Sequence, residues 1–134
     1  MIPEKTINIC GKEVSMIYCA ATENGYEDLS NKSIGVFVPK FGKDDEGNDI
    51  IVKPAEAHIG DFVYLAIAGI IAHYAKHKED VPVSTEEIIY ESSPVERNEM
   101  IAAIVELRNE WYKIPSVVKP DMKPDDRGRK SKNA

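Results

Sequence analysis

The segment Phe62–Ala72, FVYLAIAGIIA, is the feature that most restricts how this chain can fold. In an α-helix its apolar side chains cover the whole circumference, and a helix of that kind must be enclosed on all sides. Asp61 is a predicted helix cap, so we expect the helix to begin there and to run to about Lys78. Its 11 apolar residues are fewer than the ~20 that span a bilayer, which favours a core helix over a membrane span.

A chain of 134 residues has little material with which to enclose such a helix. One interpretation is that every side of the helix belongs to the core. The other is that one side stays open and binds an apolar partner segment. The candidate partner-binding residues are Tyr64, Ile71 and Tyr74 on the helix, extended by Trp111 and Tyr112. Truncation of a buried aromatic in such a surface is expected to cost about 1–3 kcal/mol of binding.

Residues 6–18, TINICGKEVSMIY, predict a β-hairpin because apolar and polar side chains alternate on both sides of Gly11. Gly11 fits the first central position of a type II′ turn, followed by Lys12. This turn pairs Ile9 with Val14. The resulting apolar face consists of Ile7, Ile9, Val14 and Met16.

Cys10 and Cys19 are the two cysteines of the chain. The predicted register places Cys19 opposite Glu4 and away from Cys10, so a disulfide within the hairpin is not expected. Two cysteines are too few for a disulfide framework, and free thiols are typical of a cytoplasmic protein. The charged N-terminal segment lacks the apolar core of a signal peptide, and we therefore expect a cytoplasmic location.

A second extended pair is predicted at residues 36–38 and 50–52, where VFV and IIV flank the polar turn Gly42–Asp49. Pro39 and Pro54 restrict these segments to a sheet edge. The acidic turn does not match an EF-hand loop, because a glycine stands where the first aspartate should be. We therefore interpret residues 36–54 as a hairpin-like insertion.

Three further helices are predicted, the first of them short and covering residues 20–29. The other two start at capping boxes, and Pro94 occupies the first helical position of the last one. The boxes are Ser84 with Glu87 and Ser93 with Glu96. The last helix ends before Pro115. Its apolar stripe consists of Met100, Ile104, Leu107 and Trp111, and the first three are expected to face inward.

These elements predict an α+β protein in which N-terminal β-hairpins pack on a three- to four-helix segment. One domain is expected over residues 1–114, followed by a disordered basic tail over residues 115–134. The chain has a formal net charge of −6, to which residues 119–134 contribute +3, so residues 1–118 carry −9. An acidic domain of this kind is not expected to bind nucleic acid.

His73 and His77 are four residues apart and would lie on one side of the long helix, as zinc-binding histidines do. The HExxH zinc motif needs a glutamate where this chain has Tyr74, and no third ligand is evident because His58 precedes the helix. A histidine near a helix C-terminus also interacts favourably with the helix dipole. We therefore expect no metal, no other cofactor and no catalytic residue, and alanine at either position should leave function intact. A metal-dependent enzyme built on the pair is the remote alternative.

The chain resembles the tail assembly chaperones of long-tailed bacteriophages, in the prophage version found in gut anaerobe genomes. The resemblance lies in the order of INICGKEVSMIY, AATENGYEDLSNKSI, DFVYLAIAGIIAHYA and ELRNEWYKIP, and it covers about residues 5–115. It implies a non-enzymatic cytoplasmic protein of virion morphogenesis. Such a chaperone binds the long, aggregation-prone tape measure protein until tail tube subunits displace it.

In many members of that family, ribosomes slip back by one base near the stop codon and add a second domain. Lys132 and Asn133 suit such a programmed frameshift if their codons belong to a slippery heptamer, and the tail would then be a linker. The alternative is an ordinary frayed terminus. The composition is equally compatible with a small cytosolic adaptor or regulatory subunit, and with self-association of the chain. No membrane partner is expected.

Overall fold

Two antiparallel hairpins and four α-helices make up the computed structural model, which describes residues 1–113. The strands are β1 (Glu4–Ile9), β2 (Lys12–Ile17), β3 (Lys40–Lys43) and β4 (Asp49–Lys53). The helices are α1 (Ala20–Ser30), α2 (Ile59–His77), α3 (Thr85–Glu91) and α4 (Pro94–Tyr112). The predicted α+β class is confirmed. The predicted tail, with Lys132 and Asn133, lies outside the described residues.

The first hairpin has a different turn from the one predicted. Cys10 and Gly11 are its central residues, with φ angles of 52° and 77°, and Ile7 lies opposite Val14. Two positive φ angles are characteristic of a type I′ turn, whose twist matches that of the flanking strands. The backbone N–H of Cys10 donates to a carboxylate oxygen of Glu96 at 2.9 Å, so the start of α4 holds the turn in place.

The register consequently differs from the prediction by two residues. Side chains alternate with a period of two, so a shift of this size keeps each of them on its predicted face. The inward face packs against the core and consists of Ile7, Ile9, Val14 and Met16. Ile17, and not Cys19, lies opposite Glu4. Cys19 instead precedes α1, and both cysteines are free.

The strand predicted at residues 36–38 is wrong, because Ile34–Phe37 forms a short 3₁₀ helix. This turn buries Phe37, whose ring packs edge-on against Tyr26 and Phe62 with centroids 5.0 Å from each. An aromatic side chain gains more from such burial than from an exposed edge strand. A hairpin does form in this region, but its first strand, β3, starts only after Pro39.

Helix α2 begins one turn earlier than predicted, with His58 as its N-cap and Asp61 as its third residue. Asp61 nevertheless caps the helix, because its carboxylate accepts a hydrogen bond from the His58 backbone N–H at 2.8 Å. The same carboxylate is only 4% exposed and accepts from the Tyr26 hydroxyl at 2.9 Å and from the Lys32 ammonium at 3.1 Å. These hydrogen bonds join the start of α2 to Tyr26 of α1 and to Lys32, the residue after the C-cap of α1.

Helix α2 is the centre of the domain and packs against α1, β2 and α4. Small residues allow the close contacts: a Cβ on Gly25 of α1 would lie 3.3 Å from the Cβ of Ala68. Most of its apolar circumference is buried, as a core helix requires. Ile71 is the exception among its large apolar residues beyond the first turn, with 38% of its surface exposed.

By length and composition α2 also meets the requirements of a membrane span, and half of its most apolar stretch is buried inside the domain. Core helices pass the same test of length and composition. The contacts of α2 on three sides are those of a core helix.

Both predicted capping boxes are present. Ser84 accepts from the backbone N–H of Glu87 at 3.0 Å at the start of α3, and Ser93 accepts from Glu96 at 3.1 Å at the start of α4. The inward stripe of α4 is confirmed for Met100, Ile104 and Leu107, which are buried. Trp111, at the end of the apolar stripe, is 36% exposed.

Candidate functional site

An apolar cleft lies between the second half of α2 and the segment that leads into α3. We call it the α2–α3 cleft, and its volume is about 410 Å³. Its apolar lining consists of Ile67, Ile70, Ile71, Val81, Val83 and Ile88. Pockets of this volume typically bind apolar groups, and a few polar residues of the pocket fix the orientation of the bound group. Here the polar edge is formed by Asp80, Ser84 and Thr85.

A helix end and a helix cap that are close together in the sequence form this cleft. Lys78 ends α2 in the left-handed conformation, with a φ of 57°, and reverses the chain. Val83 is then fully buried, and the cap at Ser84 starts α3 in an orientation that also buries Ile88. The floor of the cleft is therefore part of the core, whereas Ile71 at its edge is open to solvent.

The border of the cleft is acidic. Asp80 lines it directly, and α3 adds Glu86 and Glu87 in its first turn. The Ser84 backbone N–H donates to the Glu87 carboxylate at 3.1 Å and lowers the pKa of that group. A border of carboxylates is complementary to Lys or Arg side chains.

The residues predicted to bind a partner are placed in different surroundings. Tyr64 lies two turns before Ile71 on the same side of α2 and is partly buried against the core. Tyr74 is directed at the first hairpin, where its hydroxyl accepts a hydrogen bond from the Ser15 backbone N–H at 3.1 Å. The structure therefore brings Ile71 to the cleft and uses Tyr74 to hold β2.

Trp111 and Tyr112 lie at the end of α4. The Tyr112 ring packs edge-on against Tyr18 with centroids 6.2 Å apart, and its hydroxyl donates to Glu23 of α1. The Arg108 guanidinium lies 5.3 Å from the centroid of the same ring. Tyr112 thus fastens the end of α4 to α1, and Trp111 is the partly exposed aromatic beside it.

A second exposed apolar surface was not predicted. The hairpin arm, which we define as β3 and β4, exposes Phe41, Ile50, Ile51 and Val52. Phe41 and Ile51 lie opposite each other on one face, and Val52 lies on the other face beside Gly42. The run Ile50–Val52 is the signal that could have indicated this, because consecutive apolar residues in a strand occupy both faces.

The two histidines considered as metal ligands do meet, and a third residue joins them. The rings of His73 and His77 have centroids 4.5 Å apart, and a carboxylate oxygen of Glu4 lies 3.8 Å from the Nδ1 atom of His73. One potential ligand atom from each of the three residues lies within 4.8 Å of the other two. No local pattern identifies Glu4, because the pairing of β1 with β2 and the packing of β2 on α2 bring it there.

Comparisons of the chain with models of known protein families, with curated proteins and with solved structures found no match.

Proposed function

We propose that this protein is a chaperone that binds an apolar helical segment of a long partner, namely the tape measure protein of a long-tailed phage. The observation that carries the proposal is the α2–α3 cleft, whose floor is apolar core and whose edge exposes Ile71. The order of segments in the sequence, which resembles that of tail assembly chaperones, supports the choice of partner.

The cleft suits one face of a helix. A volume of about 410 Å³ accepts apolar side chains but not a whole helix, so a partner helix would lie across the opening and insert its anchors. Amphipathic helices bind in this way, through apolar residues spaced three and four apart. The tape measure protein, as the resemblance implies, is long and helical and has many such faces.

The negative charge of the chain supports the same partner, a helical segment in the cleft. Residues 1–118 carry a formal net charge of −9, and the cleft is bordered by Asp80 and by the first turn of α3. A partner segment with Lys or Arg on either side of its apolar stripe would be attracted and correctly oriented. The hairpin arm adds a second exposed apolar surface, through which the chain could cover more of the same partner.

Co-expression with a tape measure protein, the partner that the resemblance implies, tests this proposal. We expect the wild-type chain to keep that protein in the soluble fraction, and Ile71→Arg to abolish the effect. Ile59→Arg is the matched control, since it places the same charge on the first residue of the same helix, where Ile59 is 74% exposed and outside the cleft. Equal solubilisation by both variants, with unchanged circular dichroism, would contradict a role for the cleft.

A further inference from the structure

His73 contains a buried polar atom that has no hydrogen-bond partner within residues 1–113. The residue is 8% exposed, and its Nδ1 atom is without a partner. The nearest carboxylate oxygen, on Glu4, is 3.8 Å away, which is too long for a hydrogen bond. A buried polar group without a hydrogen-bond partner destabilises the fold, so most buried polar groups in proteins have such a partner.

The side chains around this nitrogen are of the kinds that bind metal ions. His77 follows one helical turn after His73, so that both imidazoles lie at the C-terminal end of α2. Glu4 reaches the same point from the first residue of β1. Two imidazole nitrogens and one carboxylate oxygen are a donor set that suits zinc, whereas magnesium and calcium prefer oxygen ligands alone.

We propose that Glu4, His73 and His77 bind one Zn²⁺ ion, with water in the fourth position. Bonds of about 2.1 Å in a tetrahedral site place the ligand atoms about 3.4 Å from one another. The potential ligand atoms already lie within 4.8 Å of one another, and Glu4 and His77 are exposed and free to change rotamer. The proposal requires these side chains to rotate so that their ligand atoms come closer together.

The ion would cross-link two segments of the fold. It joins the start of β1 to the end of α2, which are distant in the sequence and adjacent only in the folded domain. An ion that binds the folded chain alone stabilises it. This site is independent of the proposed partner binding, which uses the α2–α3 cleft, so either proposal can fail without the other.

Calorimetric titration of the full chain with ZnCl₂, after removal of any polyhistidine tag and of bound metal, tests the site. We expect one Zn²⁺ per chain, and we expect Glu4→Gln and His77→Ala each to weaken binding by about tenfold or more. Both side chains are exposed, so these variants should fold. His58→Asn is the control, because asparagine also caps helices well and His58 is outside the cluster. Affinity equal to that of wild type is expected for it.

Two further measurements distinguish a specific zinc site from nonspecific zinc binding. Saturating zinc should raise the Tm of the wild-type chain by about 4 °C or more and leave that of His77→Ala unchanged. Substitution by Co²⁺ should produce the visible absorption of a four-coordinate ion, which His73→Gln should remove. Absence of zinc binding in the micromolar range, or equal binding by Glu4→Gln, His77→Ala and wild type, would overturn the proposal.

Discussion

Gly69 of α2 lies against the backbone carbonyl oxygen of Ile17, so closely that a Cβ atom on Gly69 would come within 2.7 Å of that oxygen. The same atom would lie 3.0 Å from the end of the Ile104 side chain. The central helix and the end of the first hairpin can therefore meet only where the helix has no side chain. This contact limits how closely α2 and β2 can pack.

We expect Gly69→Ala to lower the free energy of unfolding by about 1–3 kcal/mol, although alanine is the better helix former. The added methyl group meets backbone, which cannot rotate away. Gly60→Ala, in the first turn of the same helix, is the control, since its Cβ would meet no atom within 4 Å. Urea denaturation should show no loss of stability for Gly60→Ala. A Gly69→Ala protein as stable as wild type would contradict the contact.

Asp61 should make the stability of the domain depend on pH. Burial disfavours its charged form, but hydrogen bonds from His58, Lys32 and Tyr26 outweigh this effect and lower the pKa of the carboxyl. Its contribution is therefore present above the unfolded pKa of about 3.9 and is lost as pH falls through the lower folded value. Asp61→Asn should cost about 1–3 kcal/mol at pH 7.

Urea denaturation of wild type and Asp61→Asn at pH 7 and in acid measures this difference. The gap between the two proteins should narrow as pH falls, because protonation removes the same charge in the wild type. Asp28→Asn, at an exposed position of α1, should change stability by less than about 0.5 kcal/mol at either pH. A gap that stays constant across the titration would mean that the charge of Asp61 contributes nothing.

Cys10 is a non-glycine residue in the left-handed region, and replacement by asparagine should relieve the strain. Asn-Gly is a preferred central pair in type I′ turns, so Cys10→Asn should stabilise the chain by about 0.5–1 kcal/mol. Lys12→Asn is the informative counterpart, because Lys12 is central in the turn expected from sequence but is the first residue of β2 in the structure. Thermal unfolding should show a gain for Cys10→Asn and none for Lys12→Asn. The reverse result would support the register expected from sequence.

Phe37 and Phe41 should differ sharply in their effect on stability. Phe37 is packed between two aromatic rings, and Phe37→Ala should cost about 3–5 kcal/mol. Phe41 is 64% exposed on the hairpin arm, and Phe41→Ala should cost less than about 1 kcal/mol. Chemical denaturation of both variants is the measurement. A large loss for Phe41→Ala would show that the arm packs against the domain and is not an exposed surface.

Tyr64 lies on the same side of α2 as Ile71 but does not line the cleft, so it tests whether the partner surface extends along the helix. Tyr64→Ala should weaken binding of a soluble tape measure fragment by about 1–3 kcal/mol, measured by calorimetry. Tyr74→Ala is less informative, because Tyr74 also accepts a hydrogen bond from β2 and its loss should destabilise the domain. Tyr90→Ala is the control, since Tyr90 is an exposed tyrosine on α3, whereas Tyr64 lies on the same side of α2 as Ile71. Equal affinities for the Tyr64 and Tyr90 variants would remove Tyr64 from the surface.

Several features of the fold were determined by the sequence alone, because short-range interactions decide them. The boxes at Ser84 and Ser93 start α3 and α4 through bonds that span three residues. The inward stripe of α4 follows from helical periodicity, and the inward face of the first hairpin follows from alternation. Even a wrong turn did not alter that face, since the error in register was an even number of residues.

Only the tertiary structure decided the features that depend on distant parts of the chain. The turn at Cys10 is held by Glu96, and the strand expected at residues 36–38 gave way to a 3₁₀ helix because Phe37 finds an aromatic pocket. Glu4 lies beside His73 and His77 because β1 pairs with β2 and β2 packs on α2. In each case the deciding partner is remote in sequence, and its contribution exists only once the core has brought the two segments together.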